Sequence, residues 1–147
     1  MITENLAVVQ SDEELAKLAD GKILLQAKYS FQNPYSINGP FGTLNVTLME
    51  ESNGQSAVGI VTIQTLFGMG SETILQYSGN AEFNGSTGYT SVKTTGKGTM
   101  HAWPNPPKPI TTGIQFALSP GFKSGTLSVD GFFQGFELTA ISIQITG

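Results

Sequence analysis

The 147-residue chain predicts an all-β fold, an eight-stranded antiparallel barrel with one short N-terminal helix. Three observations carry this. Apolar residues recur at every second position over most of the length, the signature of strands with one buried face. Clusters of Gly, Pro and Asn cut the chain into segments of strand length. Roughly 70% of the unfolded surface can be buried at this size, so one domain needs no staple, and the chain, which has no cysteine, offers none. A two-sheet β-sandwich fits the same strand count and remains the alternative.

Residues 1–21 form the helical segment and residues 22–147 the barrel. Ser11 is placed to cap the helix and Glu14 to complete a capping box. Asp12 and Glu13 suit the positive end of its dipole, and Gly21 suits its termination. Ile23, Leu25, Ala27, Tyr29 and Phe31 then alternate with polar residues, interrupted only by Leu24. A Pro- and Gly-rich loop, 33–42, leads to a second strand marked by Leu44, Val46 and Leu48, and Asn53-Gly54 signals a tight hairpin turn. The third strand, about Ser56 to Phe67, is apolar on both faces, which leaves its register ambiguous.

Gly68-Met69-Gly70 introduces a fourth strand with Thr73, Leu75, Tyr77, Gly79, Ala81 and Phe83 on one face. After the turn Asn84-Gly85-Ser86-Thr87-Gly88, Val92, Thr94, Gly96, Gly98 and Met100 share the inner side of the fifth. The two glycines there imply a bend or a close backbone approach. The prolines between Pro104 and Pro109 predict a stiff connection outside any ladder. Ile110, Thr112, Ile114, Phe116 and Leu118 give the sixth strand, and Leu127, Val129, Gly131 and Phe133 the seventh. The last strand changes parity between Phe136-Leu138-Ala140 and Ile141-Ile143-Ile145, so a bulge near Ala140 would restore one buried face.

Composition excludes several functions. All seven basic residues are lysines; without arginine the chain lacks the side chain that reads guanine edges and phosphates bidentately, so nucleic acid is not an expected partner. Charged residues are 12% of the chain, half the usual share, and five of the eleven acids lie in the first twenty positions, so the body is nearly neutral. The N-terminus lacks the basic start and apolar run of a secretory signal, and no segment approaches the ~20 apolar residues of a membrane helix. A cytoplasmic location is the expectation.

No metal site and no cofactor are expected. His101 is the single histidine and its parity places it on the polar face. Glu50 and Glu51 point to opposite faces, whereas an acid–base pair must converge on one centre. No EF-hand loop, phosphate loop or nucleophile elbow is present. The aromatics are more informative: Tyr29, Tyr77, Phe116 and Phe133 fall on inward faces, while Tyr35 and Trp103 lie in the two proline-rich loops that could rim a barrel mouth. Such residues form either a plain core or a pocket in which phenol hydroxyls orient an apolar ligand.

Two resemblances bear on this. Ala57-Val58-Gly59-Ile60-Val61-Thr62-Ile63-Gln64, Ala102-Trp103-Pro104 and Lys123-Ser124-Gly125-Thr126 resemble elements of an uncharacterised bacterial family of short all-β domains of unknown function, a likeness that implies no activity. At the level of fold, eight strands with Gly-Ser-Thr-Gly-Tyr followed by Gly-Lys-Gly resemble the barrels of allene oxide cyclases and dirigent proteins. That likeness implies a central cavity in which reactive apolar intermediates are folded.

The expected function is therefore binding of a small apolar or amphipathic molecule in the barrel interior or mouth by Tyr29, Tyr77, Phe116, Phe133, Trp103 and Tyr35, with a cofactor-free cyclase or isomerase as its enzymatic version. The alternative is a lectin-like or membrane-associating, pore-forming β protein, because the Thr-, Ser- and Lys-rich run from Ser86 to Met100 alternates as inserting strands do. Homo-oligomers through an edge strand are compatible with either reading.

Overall fold

The computed structural model describes residues 22–33, 39–52, 54–65, 72–102 and 104–145. The expected helix, Tyr35 and Trp103 lie outside the described residues. Eight strands, β1 (Lys22–Gln32), β2 (Pro40–Glu51), β3 (Gly54–Thr65), β4 (Glu72–Asn84), β5 (Tyr89–His101), β6 (Lys108–Leu118), β7 (Ser124–Val129) and β8 (Phe133–Ile145), pair in sequence order, and β8 closes on β1. Every pairing is antiparallel. The barrel, not the sandwich, is the architecture.

The alternation read from the sequence is the inside–outside pattern of the wall. Leu25, Tyr29, Leu44, Val61, Leu75, Ile114, Phe116, Leu127 and Leu138 are among the buried side chains of one continuous apolar cluster. Outward positions on β5, namely Lys93, Thr95, Lys97 and Thr99, are exposed. The ambiguous third strand has a physical basis: Ile60 and, on β2, Met49 point outward and are nevertheless buried, so this part of the outer wall is apolar and shielded from water.

Two breaks in the alternation are bulges. The β1–β2 register shifts between Ile23 and Leu25, leaving Leu24 as the extra residue. The β1–β8 register jumps from Lys28↔Ser142 to Tyr29↔Ala140, leaving Ile141 unpaired beside Ala140. Each bulge returns the following apolar residues to the inner face.

Close approach explains the glycines of β5. A Cβ on Gly98 would run into the backbone carbonyl of Ile74 on β4, and one on Gly96 into the side chain of Ile114 on β6.

Three expected boundaries move. The β2–β3 hairpin pairs Glu51 with Gly54, so its loop is one residue earlier than the Asn53-Gly54 signal, and Gly54 opens β3 at φ 129°. Pro109 is not outside the ladder but lies in β6 opposite Thr99; it is tolerated because β7 begins pairing with β6 only at Ile114. Gly131 and Phe133 do not continue β7: the chain turns at 130–132 with Gly131 at φ 85°, and Phe133 opens β8.

Candidate functional site

Three of the residues expected to bind a ligand lie inside the barrel, as their parity implied. Tyr29, Tyr77 and Phe116 are all buried, and the Tyr77 ring meets Phe116 edge-on at 5.5 Å. Eight strands enclose a space that side chains can fill or that can hold one small ligand. Both phenol protons are committed to main-chain carbonyls: Tyr29 Oη donates to the Phe122 carbonyl at 2.6 Å and Tyr77 Oη donates to the Asn45 carbonyl at 2.8 Å.

The second bond depends on a missing side chain. Tyr77 pairs with Gly59 on β3 and lays its ring over it to reach β2; a Cβ at Gly59 would collide with the Tyr77 ring and with the Asn45 carbonyl. Burial pushes the Tyr29 phenol up to about 12. It raises Tyr77 well above the ordinary value too, with the neighbouring Tyr29 adding to the shift. Both therefore remain protonated near neutral pH and serve as structural donors.

Phe133 belongs to a different group. It stacks on Phe136 at 4.2 Å with the planes 15° apart and meets Phe31 at 5.0 Å. The trio packs where β1 ends and β8 begins, with Phe133 half-buried.

An open cleft of about 670 Å³ lies at the opposite end, lined by Glu82, Phe83, Asn84, Thr87, Tyr89, Ser91 and Pro120. The β4–β5 turn builds it. Asn84 accepts the Gly88 amide on its carbonyl at 2.7 Å, and its Oδ1 accepts the Ser86 amide at 3.0 Å and the Ser86 hydroxyl at 2.8 Å. Thr87 Oγ1 accepts the Tyr89 amide at 3.2 Å. The aromatics that flank this cross-linked turn are open to solvent: Phe83 is 50% exposed and Tyr89 42% exposed. Glu82 and Ser91, paired on the outer face, add one carboxylate and one hydroxyl to the same lining. Pro120, following β6, supplies the third wall.

Behind the cleft, Thr90 pairs with Phe83 and turns inward; its Oγ1 is buried without a hydrogen-bond partner. His101 is on the outer face opposite Glu72, as its parity implied. No group of metal-ligating side chains occurs among the described residues.

Sequence reasoning placed Phe83 on the inner face but did not single out Tyr89. The available signal was a pair of aromatics flanking a five-residue Asn/Gly/Ser/Thr turn, where a strand end can no longer bury an inward ring. The chain matches no protein-family model, no curated protein and no solved structure.

Proposed function

We propose that this barrel binds a small amphipathic molecule, and that the ligand sits in the cleft at the β4–β5 end rather than in the interior. The observation that carries the reading is the juxtaposition of two solvent-exposed aromatic rings, Phe83 and Tyr89, with the Glu82 carboxylate in one concavity of ligand size. A ring with one apolar face stacks on Phe83 or Tyr89, and its hydroxyl or ammonium substituents donate to Glu82. Ser91 and Thr87 add hydroxyls at the rim. Sugars have this character, so the lectin-like alternative falls on the same residues.

The interior-pocket version draws less support, because Tyr29 and Tyr77 are already hydrogen-bonded to main-chain carbonyls. The cyclase version would draw its acid–base groups from the Glu82 carboxylate and the Tyr89 phenol, the titratable side chains that line the cleft. Strand polarity argues against a membrane-spanning barrel: the interior is apolar and Lys93 and Lys97 face outward, the reverse of lipid-embedded strands.

The test is mapping of amide shifts during titration with a fragment panel of methyl glycosides, aryl alcohols and aryl amines. Binding is expected to move Phe83, Tyr89 and Ser91, and to weaken at least tenfold in Phe83→Ala/Tyr89→Ala. Shifts centred on Tyr29, Tyr77 and Phe116 would return the site to the interior. Unperturbed spectra with every fragment would remove the proposal.

A further inference from the structure

The strand β7 is the short stave of the barrel. Its 6 residues stand between strands of 11 and 13, so each neighbour keeps a stretch that is paired on one side only. On β6 the stretch is 108–112, ahead of the first β7 partner at Ile114; on β8 it is 141–145, beyond the last β7 partner at Thr139.

The sequence treats these two edges oppositely. The β6 edge carries Lys108 and Pro109, residues that keep an open strand from recruiting another. The β7–β8 turn also closes over its end: the Asp130 amide donates to the Gly113 carbonyl at 3.0 Å, and the Thr112 hydroxyl donates to the Asp130 carbonyl at 2.5 Å. Among the described residues the β8 edge has no such guard. Ile141-Ser142-Ile143-Gln144-Ile145 contains no charge and no proline, with Ile141 57% and Ile145 60% exposed. Among the described residues the last bond on that side is from the Ala140 amide to the Lys123 carbonyl at 3.0 Å, Ile141 is the bulge residue, and 142–145 pair with β1 alone.

The edge is also self-complementary. Two copies running antiparallel about a twofold axis at Ile143 place Ile141 opposite the partner's Ile145 and Ser142 opposite the partner's Gln144, with Ile143 opposite its own equivalent. Apolar meets apolar and polar meets polar at every step, as an isologous contact requires. No other register centred within the segment uses all five residues.

We infer that the open β8 edge is the docking surface for a second copy of this chain, joined by antiparallel pairing of residues 141–145. The inference is independent of the cleft. A contact of one short edge is small beside the ~1,600 Å² of a standard interface, so the dimer is weak and concentration-dependent.

Sedimentation equilibrium of the full chain from about 10 μM to about 1 mM, which spans weak affinities, is expected to show a monomer–dimer equilibrium. Ile141→Lys/Ile145→Lys sets lysine opposite lysine at both ends of the contact and is expected to weaken association at least tenfold. Ile141→Lys/Ile145→Glu sets each lysine opposite the partner's glutamate and is expected to restore it. Both positions are exposed, and unchanged circular dichroism verifies the fold of each variant. A wild-type chain monomeric throughout, a double-lysine variant that associates like wild type, or a Lys/Glu variant that does not recover would each overturn the inference.

Discussion

The unpartnered hydroxyl of Thr90 gives the sharpest stability prediction. Thr90 is 1% exposed, faces inward between Phe83 and Leu118, and its Oγ1 has no hydrogen-bond partner. Burying an unsatisfied hydroxyl costs about 1–3 kcal/mol. Valine replaces that hydroxyl with a methyl group of similar size and keeps the β-branched shape favoured in strands. Thr90→Val should therefore stabilise the protein by about 1–2 kcal/mol. With an unfolding entropy near 2.1 cal/mol/K per residue, a chain of this length shifts by about 3 °C per kcal/mol, so Tm should rise by about 3–6 °C. Thr90→Ser is the control: it keeps the hydroxyl, removes a buried methyl and should lower stability by about 1 kcal/mol. Thermal and urea unfolding followed by circular dichroism measure both. A Thr90→Val variant less stable than wild type would refute the reasoning, because it would mean that the hydroxyl is satisfied.

Two further outcomes follow from the buried phenols. Tyr77→Phe should cost about 1 kcal/mol through the lost bond to the Asn45 carbonyl. Gly59→Ala should cost about 1–3 kcal/mol by overpacking, and less when combined with Tyr77→Phe, which removes one of the colliding atoms; strict additivity in urea midpoints would contradict this geometry. Stability should also fall at alkaline pH. An unfolded phenol titrates near 10, whereas Tyr29 in the folded protein is pushed up to about 12. Below pH ~10 both states keep the proton and the contribution is complete; between ~10 and ~12 only the folded state keeps it, so stability declines as pH rises. Urea midpoints across that window should fall less steeply in Tyr29→Phe, and identical slopes would reject the assignment.

Much of the wall was legible because side-chain alternation is a property of the pleat itself. Tyr29, Tyr77 and Phe116 could be placed inside from parity alone, the parity change around Ala140 was recognisable as a bulge, and Leu24 was visible only as a break in the alternation that the β1–β2 register explains. What those buried rings do was not legible. Their hydroxyls could equally have faced a ligand, and only the path of β2 and of the β6–β7 turn brings the carbonyls of Asn45 and Phe122 within reach. The cleft was hidden for a related reason: Pro120 follows β6, whereas Phe83 and Tyr89 flank the β4–β5 turn, and their meeting depends on how far neighbouring strands overshoot one another.

The sequence by itself determined that this is an all-β chain, the number and order of its strands to within a few residues at their ends, and which side of nearly every strand faces the apolar interior. All of these are set within a strand or across one turn. Closure into a barrel rather than a sandwich, the hydrogen bonds of the buried phenols, and a β7 too short to pair with all of β8 were decided only in three dimensions. They depend on the stagger accumulated over eight strand pairings, a quantity that no local pattern of residues contains.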